Sequence, residues 1–138
     1  MPANTHDSHA SADYDHLDYV QTGMEIVLET LFDDTRWHLT EKALRPIACG
    51  KPFVLVATAG SLEYLRSYGF ETFGDHIDES YDLESDPVAR LTAVIQEMSR
   101  IAAMSPADKI VLWNQLHLIA ERNKQRFFSA EWQASVVQ

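Results

Sequence analysis

The chain has 138 residues, a formal net charge of −10 at pH 7, and hydrophobic residues at 46% of its positions. This length suits one domain that buries a core without disulfides or metals, and the hydrophobic share is typical of a globular protein. The acidic balance disfavours nucleic acid as a partner, because binding there depends on Lys and Arg that neutralise phosphates. The single cysteine, Cys49, excludes a disulfide within the chain.

The N-terminal segment has no basic stretch followed by an apolar stretch, so it does not resemble a signal peptide. No segment approaches the ~18 consecutive apolar residues of a membrane-spanning helix. We therefore expect a cytoplasmic protein, in a cell or an infected host, without a membrane partner. We interpret residues 1–16 as a flexible arm, residues 17–130 as one α/β domain, and residues 131–138 as a loose C-terminal tail.

The first half of the chain reads as alternating strands and helices. The apolar run at residues 26–28 predicts a buried strand, and residues 52–58 (PFVLVAT) predict a second strand that is covered on both faces, as in a parallel sheet. Between them, Thr40 is the predicted N-cap of a helix that ends at Gly50. Pro46 lies inside this segment, so we expect either a kink or a later helix start.

After the second strand, Ser61 is the predicted N-cap of a helix that ends at Gly69, and residues 70–73 read as a third, short extended piece. Alternation of strands and helices with short links is typical of a doubly wound sheet. The predicted fold is therefore α/β, a single Rossmann-like lobe with a short, mostly parallel sheet flanked by helices.

The second half reads as an acidic loop followed by two long C-terminal helices. Residues 75–86 hold six acidic side chains without the spacing of an EF-hand, which favours a solvated acidic surface. Asp86 with Pro87, and Ser105 with Pro106, are helix-start signals. Residues at helical spacing predict the buried stripes of these helices: Leu91, Val94, Ile95, Met98 and Ile101, then Ile110, Trp113, Leu116, Ile119 and Ala120.

Two places have the residues for binding chemistry. The backbone N–H groups of a helix start attract phosphate or carboxylate, and at Thr40, Glu41 and Lys42 a lysine adds a positive charge, with Arg45 one turn later. Gly60 and Ser61 follow a strand, where α/β folds bind ligands. An ordinary capped helix and an ordinary turn explain the same spacing. The histidines are scattered without zinc-ligand spacing, so we expect no metal and no cofactor, and the sequence identifies no catalytic residue.

A series of short motifs carries a resemblance. They are EIVLET at 25–30, TEKALRPI at 40–47, PF at 52–53, GSLEYLRSYGFETF at 60–73, DESYD at 78–82 and the closing ERNKQRFFS at 121–129. In this order, over residues 19–129, they resemble the C-terminal half of glycosyltransferase-like proteins of phages and bacteria. The T-E-K start is also similar to one in the nucleotide-binding lobe of fucosyltransferase-type (GT-B) enzymes. The resemblance implies that Glu41 and Lys42, supported by Thr40 and Arg45, hold a nucleotide or nucleotide sugar.

Two functions remain as hypotheses. The first is a nucleotide- or nucleotide-sugar-binding, glycosyltransferase-like domain, whose acceptor lobe we expect from a partner because only about 20 residues precede the first motif. The alternative is a non-catalytic interaction protein, such as a phage-encoded inhibitor or an assembly component, built on a truncated lobe. Both hypotheses lead us to expect a homo-oligomer or a partner protein.

Overall fold

A computed structural model describes residues 23–29 and 41–129, with the backbone alone for Glu41. In chain order the elements are strand β1 (Glu25–Leu28), helix α1 (Glu41–Ala48), strand β2 (Phe53–Val56), helix α2 (Ser61–Ser67), a 3₁₀ helix (Ser80–Leu83), helix α3 (Pro87–Ala102) and helix α4 (Pro106–Phe127). The α/β class and the two long C-terminal helices are confirmed. The predicted arm, the N-cap Thr40 and the C-terminal tail lie outside the described residues.

Strands β1 and β2 pair in parallel, with Glu25 opposite Phe53 and Leu28 opposite Val56. All four residues of β2 are buried, which confirms the prediction from its continuous apolar run. Helix α1 lies between the two strands in the chain, and a connection between adjacent parallel strands leads from the carboxyl end of one to the amino end of the next. The chain therefore approaches the start of α1 from the carboxyl side of the sheet, and the turn after β2 lies on the same side.

Helix α1 runs through Pro46, so its start is not displaced past the proline. The end of the helix is a Schellman motif: the N–H of Gly50 donates to the carbonyl of Ile47 at 3.1 Å, and the N–H of Lys51 donates to the carbonyl of Pro46 at 2.8 Å. Gly50 has a φ of 67°, a conformation that costs glycine little. The predicted C-terminal glycine of this helix is confirmed.

The third predicted strand, at residues 70–73, is wrong: the sheet of the described residues has two strands. Asn123 of α4 accepts a hydrogen bond from the N–H of Glu71 at 2.8 Å and donates to its carbonyl at 2.9 Å. The N–H of Phe73 donates to the carboxylate of Glu79 at 2.9 Å. Side chains thus form hydrogen bonds with the backbone N–H and C=O groups that would otherwise pair with a neighbouring strand.

Both long helices begin where the sequence predicts. The carboxylate of Asp86 accepts the N–H of Ala89 at 2.8 Å, and the hydroxyl of Ser105 accepts the N–H of Asp108 at 3.1 Å. Within the two described ranges, no helix is long and apolar enough to cross a membrane.

Their predicted buried stripes are only partly correct. Val94, Leu116, Ile119 and Ala120 are buried, whereas four predicted core residues are at least 41% exposed: Leu91, Ile95, Ile110 and Trp113. Helical spacing identifies residues that share a stripe, but it does not show which stripe faces the core when a helix has apolar residues on two sides.

Candidate functional site

The predicted ligand-binding residues of helix α1 lie in its first two turns. Glu41 is the first residue of the helix, and Lys42 and Arg45 are half-buried, with one terminal guanidinium nitrogen of Arg45 fully buried. Residues three or four positions apart lie on one side of a helix, which places Arg45 beside both Glu41 and Lys42. Lys42 thus brings a cation into the first turn of the helix, close to its N–H groups, a combination that attracts anions, whereas part of the charged end of Arg45 is withdrawn from solvent.

The turn from Thr58 to Ser61 lies at the carboxyl end of β2. Gly60 has a φ of 88° and precedes the helix without giving it a side-chain cap. Ser61 is the first helical residue, and its buried hydroxyl donates to the carbonyl of Thr58 at 2.6 Å. The prediction that Ser61 is the N-cap of α2 is therefore wrong, because its hydroxyl closes the turn.

Asp82 takes the place of the missing N-cap from 20 residues away. Both of its carboxylate oxygens accept the N–H of Leu62 at 3.2 Å, and its backbone carbonyl accepts the N–H of Gly60 at 2.8 Å. The side chain of Asp82 is buried. A carboxylate of the protein thus occupies the position where the start of α2 would otherwise attract an anion, and a phosphate reaches these amides only where Asp82 moves away.

A second acidic residue, Glu79, holds the segment that follows α2. Its carboxylate accepts the N–H of Phe73 and a hydrogen bond from the side chain of Thr72. Burial raises the pKa of Glu79, and burial likewise raises the pKa of Asp82, with the charge of Arg66 acting in the opposite direction on both. The prediction of a solvated acidic surface is wrong for these two residues. We refer to Glu79, Asp82 and Asn123 as the clasp, because they hold backbone on either side of α2.

Glu97 of helix α3 also holds a backbone N–H group with its carboxylate. Its buried carboxylate accepts the N–H of Asp78 at 2.8 Å and pairs with the guanidinium of Arg100 at 2.7 Å. Hydrogen bonding from Arg100 lowers the pKa of Glu97, so this carboxyl group is held in its charged form. Glu79, Asp82 and Glu97 therefore each accept backbone N–H groups around α2 and α3, in addition to the N-cap Asp86.

The sequence prediction of the site did not include the clasp. Glu79 and Asp82 lie in the motif DESYD, which shares the resemblance but whose acidic composition predicts a loop at the surface. Asn123 lies in ERNKQRFFS, which shares the resemblance, but no sequence pattern connects it with its partner Glu71, 52 positions earlier. The contacts of Glu79 and Asp82 with backbone around α2 depend on the three-dimensional position of the 3₁₀ helix, which the motif alone does not predict.

The described residues contain no group of three or more His, Cys, Asp or Glu side chains arranged to hold a metal ion. Comparison of the chain with protein-family models, with curated proteins and with solved structures gives no match.

Proposed function

We propose that the chain is a Rossmann-like, glycosyltransferase-type lobe that binds a nucleotide or nucleotide sugar at the start of α1. The observation that carries the proposal is the parallel β1–α1–β2 unit. Ligands of α/β folds bind outside the carboxyl ends of the strands, and the chain approaches the start of α1 from that side of the sheet. The chain would act in the cytoplasm with a partner that supplies the acceptor lobe.

The residues divide by chemistry. A carboxylate at Glu41 suits the hydroxyls of a ribose, and the cations Lys42 and Arg45 suit a diphosphate that also meets the N–H groups of the helix start. Gly60, at the carboxyl end of β2, would allow a ligand to approach the backbone closely, whereas Ser61 is buried with its hydroxyl bonded to Thr58 and would act by holding the turn. The proposal concerns binding, and the general base of a sugar transfer is assigned to the partner lobe.

The test is thermal unfolding with nucleoside diphosphates and their sugars at about 5 mM, followed by calorimetric titration. A ligand at 100 times its Kd stabilises by about 2.7 kcal/mol, which raises Tm by several degrees. We expect at least one nucleotide to do so, and the Lys42→Ala and Glu41→Gln variants to lose the increase. Lys109→Ala, which removes an exposed lysine from α4, is the matched control and should keep it.

Two results would refute the proposal. One is the absence of any Tm increase with all nucleotides at millimolar concentration. The other is an increase of equal size in the wild type and in Lys42→Ala, because the ligand would then bind elsewhere.

The second candidate function, a non-catalytic interaction protein, is favoured by one observation. Helices α3 and α4 expose large apolar side chains, among them Val88, Ile110, Val111 and Leu118, each more than 55% exposed. Exposed apolar side chains that group together are a feature of protein-binding faces. Association that is independent of nucleotide would support this function and would leave the proposed nucleotide site to its own test.

A further inference from the structure

An apolar pocket of about 240 Å³ lies beside the residues that lead into strand β1. Apart from Gly23, its lining consists of one lysine and five apolar side chains: Met24, Ile101, Lys109, Leu112, Trp113 and Leu116. Leu112 and Leu116 are buried core residues, whereas Trp113 is 42% exposed. An apolar side chain that filled this pocket would remove part of the exposed indole from water and so stabilise the fold.

Trp113 holds Gly23 at the edge of the pocket. The indole Nε1–H group donates to the carbonyl of Gly23 at 3.1 Å. A Cβ atom added to Gly23 would lie 2.7 Å from Cδ1 of the same ring, so a larger residue would displace the indole. The residues that precede Gly23 therefore join the described part of the chain at the pocket itself.

The segment that precedes Gly23, residues 17–22, has the sequence LDYVQT and lies outside the described residues. Its apolar and aromatic members are Leu17, Tyr19 and Val20. Val20 is three residues from Gly23, so even an extended chain places it within about 10 Å of the pocket edge. The other segments outside the described residues begin farther away, at the carboxyl end of β1 and about 21 Å along α4 from Trp113.

Charge and size favour the same segment. Lys109 is the charged residue of the lining and is exposed. Residues 13–18 contain three aspartates, so the segment brings negative charge to this lysine, and opposite charges attract. The pocket is smaller than the roughly 300–1,000 Å³ of typical small-molecule sites, so a side chain of the protein suits it better than a separate ligand.

We infer that residues 17–22 pack across this pocket, with the side chain of Val20 inside it and Asp18 beside Lys109. In an extended segment, residues two positions apart share a side, so Asp18 and Val20 both face helix α4. The packed segment joins the chain before β1 to α4, in addition to the hydrogen bond between Gly23 and Trp113.

Thermal unfolding of the full chain tests the stabilising effect of this packing. Val20→Asp places a charge in an apolar pocket and should lower Tm by at least about 4 °C. Val136→Asp, the same substitution in the C-terminal segment, is the matched control and should change Tm by less than about 1 °C. An unchanged Tm in Val20→Asp, or equal decreases in both variants, would overturn the inference.

Nuclear Overhauser contacts in the wild-type chain test the position of the segment without any variant. The methyl groups of Val20 should contact the indole ring of Trp113 or the methyl groups of Leu112. In a mixture of isotope-labelled and unlabelled chains, these contacts should arise within one chain. Pocket contacts from Val136 would assign the pocket to the C-terminal segment, and contacts only between chains would assign it to a second copy. Either result, or the absence of contacts from Val20, would overturn the inference.

Discussion

The clasp around helix α2 and the start of helix α1 contain polar residues of the same set of motifs, yet the two regions use them differently. In the clasp, Asp82 and Asn123 are buried and bond to backbone groups on both sides of α2. At the start of α1, Lys42 and Arg45 are only half-buried, although one terminal nitrogen of the Arg45 guanidinium is buried. Burial and backbone bonding thus distinguish the polar residues that hold the fold from the half-buried ones for which ligand binding is proposed.

The largest effect is expected from removing the capping carboxylate of the clasp. Asp82→Ala leaves the N–H of Leu62 buried without an acceptor, so the free energy of unfolding should fall by about 2–4 kcal/mol. Urea denaturation followed by circular dichroism measures this change.

Lys42→Ala is the comparison for the other region. Substitution of a half-exposed residue away from the core should change the free energy of unfolding by no more than about 0.5 kcal/mol. Equal destabilisation by both substitutions would remove the distinction between the two regions.

A smaller loss is expected at the far side of the clasp. Asn123→Leu keeps a similar volume but removes both hydrogen bonds to Glu71, whose side chain is exposed, so water can replace part of what is lost. We expect a loss of about 1–2 kcal/mol in the free energy of unfolding.

Amide hydrogen exchange locates that loss. The Glu71 amide should exchange faster in Asn123→Leu, while the amides of β2 remain protected. Unchanged protection at Glu71 would show that Asn123 does not hold this segment.

The sequence predicted those parts of the fold whose signals are local. The helix starts at Asp86 and Ser105 and the helix end at Gly50 each depend on neighbours within four residues. The buried strand β2 was visible as an apolar run. The bonds from Leu62 to Asp82 and from Glu71 to Asn123 join residues 20 and 52 positions apart, and no local pattern contains them.

The same limit applies to the candidate site and to the exposed apolar side of α3. The nomination of Glu41 and Lys42 came from a helix-start pattern that a resemblance strengthened, and it stays a prediction. At Gly60 and Ser61, the sequence predicted a turn after a strand, but it did not show that Asp82 occupies the helix start that adjoins this turn. Helical spacing placed Leu91 and Ile95 on one stripe, but only packing shows that this stripe faces away from the core.

The smallest effect is expected from Asp82→Asn, which keeps the shape of the side chain and removes its charge. Burial raises the pKa of Asp82 in the folded protein, so folding favours the neutral form. That contribution to stability is present below the pKa of the unfolded state, about 3.9, and is lost as pH rises through the higher pKa of the folded state. The wild type should therefore lose stability relative to Asp82→Asn between pH 4 and pH 7.

Urea denaturation of both chains at several pH values measures this difference. Glu79 and Arg66 face Asp82 and are present in both chains, so their own titration largely cancels, apart from the repulsion by which Asp82 raises the pKa of Glu79. That repulsion acts in the same direction, because it adds to the cost of charging the clasp. If the wild type instead gains stability relative to Asp82→Asn as pH rises, the charge-assisted bonds to the start of α2 outweigh burial, and Asp82 acts as a charged cap despite its position in the core.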